Sequence, residues 1–217
     1  MPKWCKALIG VLLLPLCLGT AKALLLVVRA SGRADTVWVA MGAGAGCWIV
    51  VYLLLPRPMW VYVVGHELTH ALWTWLFGGK VKRFKATAKG GQIEATRTNF
   101  LITLAPYFFP VYAAAIVLVF AAGHLVWGWA PYRIWFHFAL GFAYAFHVSL
   151  TGQVLRTRQS DITRHGYLFS AVVIWLGNAG LLLVGLPVLT AQVTVTTAIR
   201  WCVSETGAVL QRLAQMF

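Results

Sequence analysis

Acidic residues are scarce in this chain: five Asp and Glu stand against 18 Lys and Arg in 217 residues, a formal net charge of +13. Charged residues of both signs make up 11%, where a soluble domain carries about 25%, and this excludes an ordinary water-soluble globule. With so little polar surface, the positive excess has no soluble face on which to bind nucleic acid. The basic loops read instead as topology determinants beside anionic headgroups. Cysteine is equally sparse. Cys5, Cys17, Cys47 and Cys202 are far apart and form no CxxC pair, so neither a thiolate zinc site nor a disulfide frame is indicated. They read as small core residues.

Apolar residues are abundant: 60% of the chain, with a mean hydropathy of +0.78. The composition predicts an all-α polytopic membrane protein, a single domain over residues 1–217 with room for about six transmembrane helices of ~20 residues each. The predicted segments are 7–28, 36–55, 59–77, 99–122, 132–152 and 167–190. Residues 1–28 read as an N-terminal anchor or signal, since Lys3 and Lys6 precede the apolar run and Ala21-Lys22-Ala23 resembles a signal-peptidase site. A retained anchor is preferred, because the run resumes at Leu24. In the second segment, Gly42, Gly44 and Gly46 would let another helix approach closely. Gly78-Gly79 ends the third segment. The polar stretch 80–98 then partly alternates apolar and polar residues around Gly90-Gly91, which predicts a small β-hairpin or an amphipathic loop at the membrane face. Pro106 and Pro110 should kink or unwind the start of the fourth segment. Trp127, Trp129, Tyr132 and Trp135 mark an interfacial belt. The tail 191–217 carries Ile199, Val203, Leu210, Leu213 and Phe217 among polar residues and reads as an amphipathic helix along the membrane. Loops 80–98 and 153–166 hold nine of the 18 basic residues, among them Lys89, and both are expected on the cytoplasmic side.

Within the third segment, residues 66–70 read His-Glu-Leu-Thr-His. On a helix, HExxH sets two imidazoles on one face with a carboxylate beside them; the imidazoles bind zinc and the glutamate handles a proton on water. Six His and five acids in this length would produce the pattern by chance about 0.004 times. At membrane depth ionisable groups are costly and by default functional. A catalytic zinc site takes a third protein ligand. Asp161 is the first choice: a lone acid in a basic loop, entering the last spanning segment, where an ordinary N-cap is the plainer role. His147 is the runner-up, an imidazole inside the fifth segment that reads more readily as a satisfied core residue than as a ligand, and His137 is similar but nearer the interface. Glu94 reads as a solvated loop residue, and His165 as a headgroup-facing one. Asp35 and Glu205 lie in segments with no need to approach the site.

The run VVGHELTHALWTWLFGGKVKRF, a basic loop containing Gly-Gly, then NFLITLAPYFFP and QSDITRHG together resemble the site-2-protease-like intramembrane zinc metallopeptidases, in particular their compact bacterial branch without a PDZ domain. The resemblance covers residues 59–175. It implies that His66, His70 and Asp161 bind Zn2+, and that Glu67 activates water to hydrolyse peptide bonds of membrane-embedded or membrane-proximal substrates. It also implies a multi-pass location in a bacterial plasma membrane. The better-known members carry their Asp in an Asn-Pro…Leu-Asp-Gly pattern. Here the context is Gln159-Ser160-Asp161-Ile162, so the asparagine that contacts the oxyanion is missing, with Gln159 or Asn99 as substitutes. Two alternatives stand beside this reading. One is a membrane zinc protease of another family with a downstream Glu ligand. The other is a non-catalytic scaffold or transporter-like protein with a structural or vestigial metal site, against which the intact Glu67 argues.

Overall fold

The computed structural model describes residues 2–87 and 90–216, so Lys89 of the basic loop and Phe217 of the tail lie outside the described residues. Along the chain the elements are α1 (Lys3–Leu12), α2 (Leu14–Ala30), α3 (Asp35–Leu54), α4 (Met59–Leu76), β1 (Val81–Thr87), β2 (Gly90–Ala95), α5 (Phe100–Phe108), α6 (Val111–Trp127), a 3-10 turn (Ala130–Tyr132), α7 (Arg133–Val154), α8 (Ser160–His165), α9 (Tyr167–Thr190) and α10 (Val195–Ala214). They fall into two compact units, one of Met1–Asp35 with Ser160–Phe217 and one of Thr36–Gln159.

Among the described residues three helical stretches are long and apolar enough to cross a membrane: Asp35–Leu54, Ala130–Val154 and Tyr167–Thr190. The number rises to five if the bent pairs α1+α2 and α5+α6 each count as one span. Three of the six expected segments are thus matched by a single helix and two more only as bent pairs, while α4, which holds the HELTH run, is not among these spans. Its Glu, two His and two Thr reduce its apolar character. Large side chains such as Leu53, Leu54, Leu118, Leu125 and Val188 are exposed, as on helices whose outer faces meet hydrocarbon rather than water.

In the first unit, Pro15 in the first turn of α2 removes a backbone donor, and α1 and α2 meet at a 42° bend. Ala23 and Val27 of α2 are fully buried. α2 lies against α10 and α9, and Gly19 makes the α10 contact close: a Cβ there would lie 2.6 Å from the Thr206 backbone nitrogen. Lys22 and Glu205 pair across these two helices at 3.7 Å. The predicted amphipathic tail is therefore a helix packed on α2, with Ile199, Val203 and Leu210 on its exposed side.

In the second unit, α3 crosses α7 through two glycines. A Cβ at Gly44 would collide with the Phe138 carbonyl and one at Gly141 with the Met41 carbonyl, whereas Gly42 and Gly46 face open space. Only one of the three glycines singled out in α3 is a packing glycine. Beside this crossing Trp48, 2% exposed, packs with Tyr62, Phe146 and Leu150. Its indole N–H donates to Ser149 Oγ at 2.7 Å.

α4 ends in a Schellman motif. Gly78 takes φ +68°, its N–H bonds the Trp75 carbonyl, and the Gly79 N–H bonds the Thr74 carbonyl, both at 2.8 Å. The chain then enters the antiparallel hairpin β1–β2, with Ala86 opposite Gly91 and Arg83 opposite Glu94. The Asn99 side chain next caps α5 by accepting from the Ile102 N–H at 2.8 Å. Pro110 precedes α6, and α5 and α6 meet at 77°. The fourth segment thus breaks at Pro110, as expected, whereas Pro106 lies within α5. Trp127, Tyr132 and Trp135 are exposed, and Trp127 stacks on Trp129.

Candidate metal centre

The i, i+4 spacing places His66 and His70 on one face of α4, and their rings meet edge to face with centroids 4.9 Å apart. Tyr107 of α5 packs edge-on against His66 at 5.3 Å. Gly65 permits this crowding: a Cβ there would lie 2.6 Å from the Tyr112 ring of α6. That ring is held by its hydroxyl, which donates to the Val61 carbonyl at 2.6 Å. Thr69, between the two histidines, turns its hydroxyl back to the Gly65 carbonyl and so satisfies itself within the helix.

His70, 8% exposed, has Nδ1 2.8 Å from the Ile102 carbonyl oxygen. A carbonyl only accepts, so Nδ1 carries the proton and Nε2 presents its lone pair. This is the tautomer a cation requires, held by an outer hydrogen bond of the kind that metal-bound histidines use. The acceptor is available because of Pro106. In an α-helix the N–H of residue 106 would bond the carbonyl of residue 102; proline has no N–H, and its ring pushes that carbonyl outward. Pro106 sits inside α5, so the missing N–H within this helix frees the oxygen that orients His70. Reading Pro106 only as a helix breaker missed this role, although the four-residue offset to Ile102 was visible in the chain.

Glu67, 6% exposed, lies under the hairpin. A Cβ at Gly91 would stand 2.7 Å from its carboxyl carbon. Only glycine lets β2 come this close. The hairpin expected at a membrane face is thus a cover over the glutamate of the HELTH run.

Asp161 lies in the first turn of α8, a six-residue helix of its own, and Gly166 at φ +91° separates it from α9. The sequence reading placed it directly at the start of the last spanning segment, and the short helix is the difference. His165 is 6% exposed rather than facing headgroups. The Lys6 ammonium donates to its Nδ1 at 2.7 Å. Burial pushes the His165 imidazole below its usual pKa, and Lys6 and Arg164 push the same way, while Asp161 pulls in the opposite direction.

His66 and His70 each offer one imidazole ligand atom within the second unit, and Asp161, the expected third ligand, belongs to the first. Two imidazoles and a carboxylate are ligands for a divalent transition metal. The other acids are engaged differently: Glu94 pairs with Arg83 at 3.8 Å on the exposed hairpin, Glu205 with Lys22, and Asp35 opens α3. His137 and His147 are both buried on α7. Of the two substitutes for the missing asparagine, the Gln159 amide already donates to the Val154 carbonyl and to Thr157 Oγ1, whereas Asn99 caps α5 through Oδ1, an acceptor, and its amide N–H groups take no part in that bond. No family model matches the chain, and no curated protein and no solved structure matches it.

Proposed function

We propose that this protein is an intramembrane zinc metallopeptidase of the site-2-protease-like class, in which His66, His70 and Asp161 together hold one Zn2+ and Glu67 is the general base. The observation that carries the reading is the contact of His66 with the buried His70, whose tautomer is set by the Ile102 carbonyl, and the buried Glu67 between them in the chain. A structural site has no use for a buried carboxylate beside its ligands. The resemblance of 59–175 to that family supports the same assignment.

Bound zinc would polarise the substrate carbonyl and acidify water. The chain's own residues do the rest. Glu67 takes a proton from water as its oxygen bonds to the carbonyl carbon, then returns that proton to the amine nitrogen as the C–N bond breaks. The products are a carboxylic acid and an amine, and the acid's proton passes to the amine or to solvent to leave a carboxylate. A spanning substrate helix has its carbonyls bonded internally and must unwind before attack; the edge of the hairpin over Glu67 offers such an extended segment backbone partners. In this reading α4 is a sixth span, apolar toward lipid and polar toward the site. The protein resides in a bacterial plasma membrane with loops 80–98 and 153–166 on the cytoplasmic side.

Elemental mass spectrometry of detergent-purified protein tests the assignment. Wild type should carry about one zinc per chain, Asp161→Ala should lose it, and Glu67→Ala should keep it while losing cleavage of a membrane reporter. A zinc-free wild type after metal-replete preparation would point to the scaffold alternative.

A further inference from the structure

The His66–His70 site needs a donor for the oxygen that becomes negative when a carbonyl is attacked; the Gln159 amide is already engaged with Val154 and Thr157, and Asn99 is tied to the first turn of α5 through Oδ1. One buried polar atom near it has no described use. His147 of α7 is 8% exposed, and its Nε2 has no hydrogen-bond partner. It shares with His66 a cavity of about 10 Å³, walled by Gly65, Pro106, Tyr112 and Phe146. That is room for a single oxygen-sized group. Among the described residues His147 is not in the donor set that can hold the ion with His66 and His70. It therefore stands beside the ligand rather than within the ligand set.

We propose that His147, in its Nε2–H tautomer, donates a hydrogen bond to the carbonyl oxygen of the scissile peptide. This rests on the peptidase reading above. As the water oxygen bonds to the carbonyl carbon, the π pair moves onto the carbonyl oxygen, where Nε2–H meets it. When that pair re-forms the double bond, the C–N bond breaks, and the nitrogen takes the proton held by Glu67. The imidazole keeps its own proton throughout. A donor already positioned in a confined cavity gains strength as the charge develops, and losing one such donor lowers turnover by about 10²–10³-fold.

The test uses the full chain in detergent, with His147→Leu and His147→Gln beside wild type and Glu67→Gln. A buried imidazole nitrogen kept without a partner is a cost to folding, and an apolar side chain of similar size removes it. His147→Leu should therefore melt about 2–4 °C above wild type in the metal-free protein. It should also keep about one zinc per chain and lose about 100-fold in kcat on a fluorogenic transmembrane reporter with KM unchanged. His147→Gln, which still donates, should recover part of that loss. Zinc lost from His147→Leu would make it a ligand, a lower melting point would make it a core residue, and unchanged turnover would remove it from the chemistry. Any of these overturns the proposal. Should His147→Leu fail to fold, His147→Gln decides through zinc content and kcat. A zinc-free wild type, or full turnover in Glu67→Gln, sinks the peptidase reading itself, whereas failure confined to the His147 variants sinks the donor role alone.

Discussion

Replacing Pro106 with alanine should strengthen the fold and weaken the metal site at once. Alanine restores an N–H four residues after Ile102, and the α5 helix can then claim the Ile102 carbonyl that His70 Nδ1 now holds at 2.8 Å. Both Ile102 and His70 are buried, so water does not compensate for the weakened bond. Outer hydrogen bonds of this kind are worth about 10–100-fold in metal affinity, which is about 1.4–2.8 kcal/mol at 1.4 kcal/mol per decade. Helix propensity runs the other way, since proline inside a helix is about 3 kcal/mol less favourable than alanine. Only part of that is recovered here, because α5 already bends away after Phe108. The expected signature is thus opposite in sign: the metal-free protein melts at or above the wild-type temperature, while zinc affinity, measured by competition with a chromogenic chelator, falls at least tenfold. Pro110→Ala is the control, because the carbonyl four residues before it belongs to Pro106 and not to the site. Wild-type zinc affinity in Pro106→Ala would refute the idea that proline frees the carbonyl for His70. Parallel loss of melting temperature and zinc would show general damage instead.

Other consequences follow from close contacts and from one titrating group. Gly91→Val should force β2 off Glu67 and lower reporter cleavage at least tenfold while zinc content stays at one per chain; retained cleavage would mean the hairpin is not seated on the glutamate. Gly44→Ala and Gly141→Ala should each lower stability by about 1–3 kcal/mol, because a Cβ meets backbone carbonyls that side-chain adjustment cannot move, whereas Gly42→Ala and Gly46→Ala should be neutral or stabilising in thermal melts. The pH dependence comes from His165. Its folded imidazole lies below the ordinary value near 6.5, so the unfolded chain binds more protons once the pH drops under 6.5. Stability should be flat with respect to this group above pH 6.5, fall as the pH drops from there toward the folded pKa, and level off below it. His165→Gln should remove that slope in hydrogen-exchange measurements on α1 and α8; an unchanged slope would place its origin elsewhere.

Much of this molecule is decided by local rules. Fifteen or twenty apolar residues in a row make a helix that prefers hydrocarbon whatever its neighbours are, and the four-residue spacing of His66 and His70 puts them on one face through helix geometry alone. Gly78-Gly79 stops α4 because only glycine takes φ +68° without strain, and alternation around Gly90-Gly91 makes the hairpin. What the chain could not disclose depends on which surfaces meet. Gly44 packs while Gly42 and Gly46 do not, because only the former points at α7. His165 is buried rather than exposed because α1 brings Lys6 to it. Asp161 stands on a helix of its own because Gly166 turns the chain before α9. The partner of His70 is a backbone carbonyl 32 residues away, and backbone carbonyls have no letter of their own in a sequence. By itself the sequence determined the membrane-like composition, the helical segments and the pair of imidazoles with its carboxylate, all products of spacing along one helix. Only the tertiary structure decided which tautomer His70 holds, what covers Glu67 and where the Nε2 of His147 lies, because those depend on contacts between elements that the chain keeps far apart.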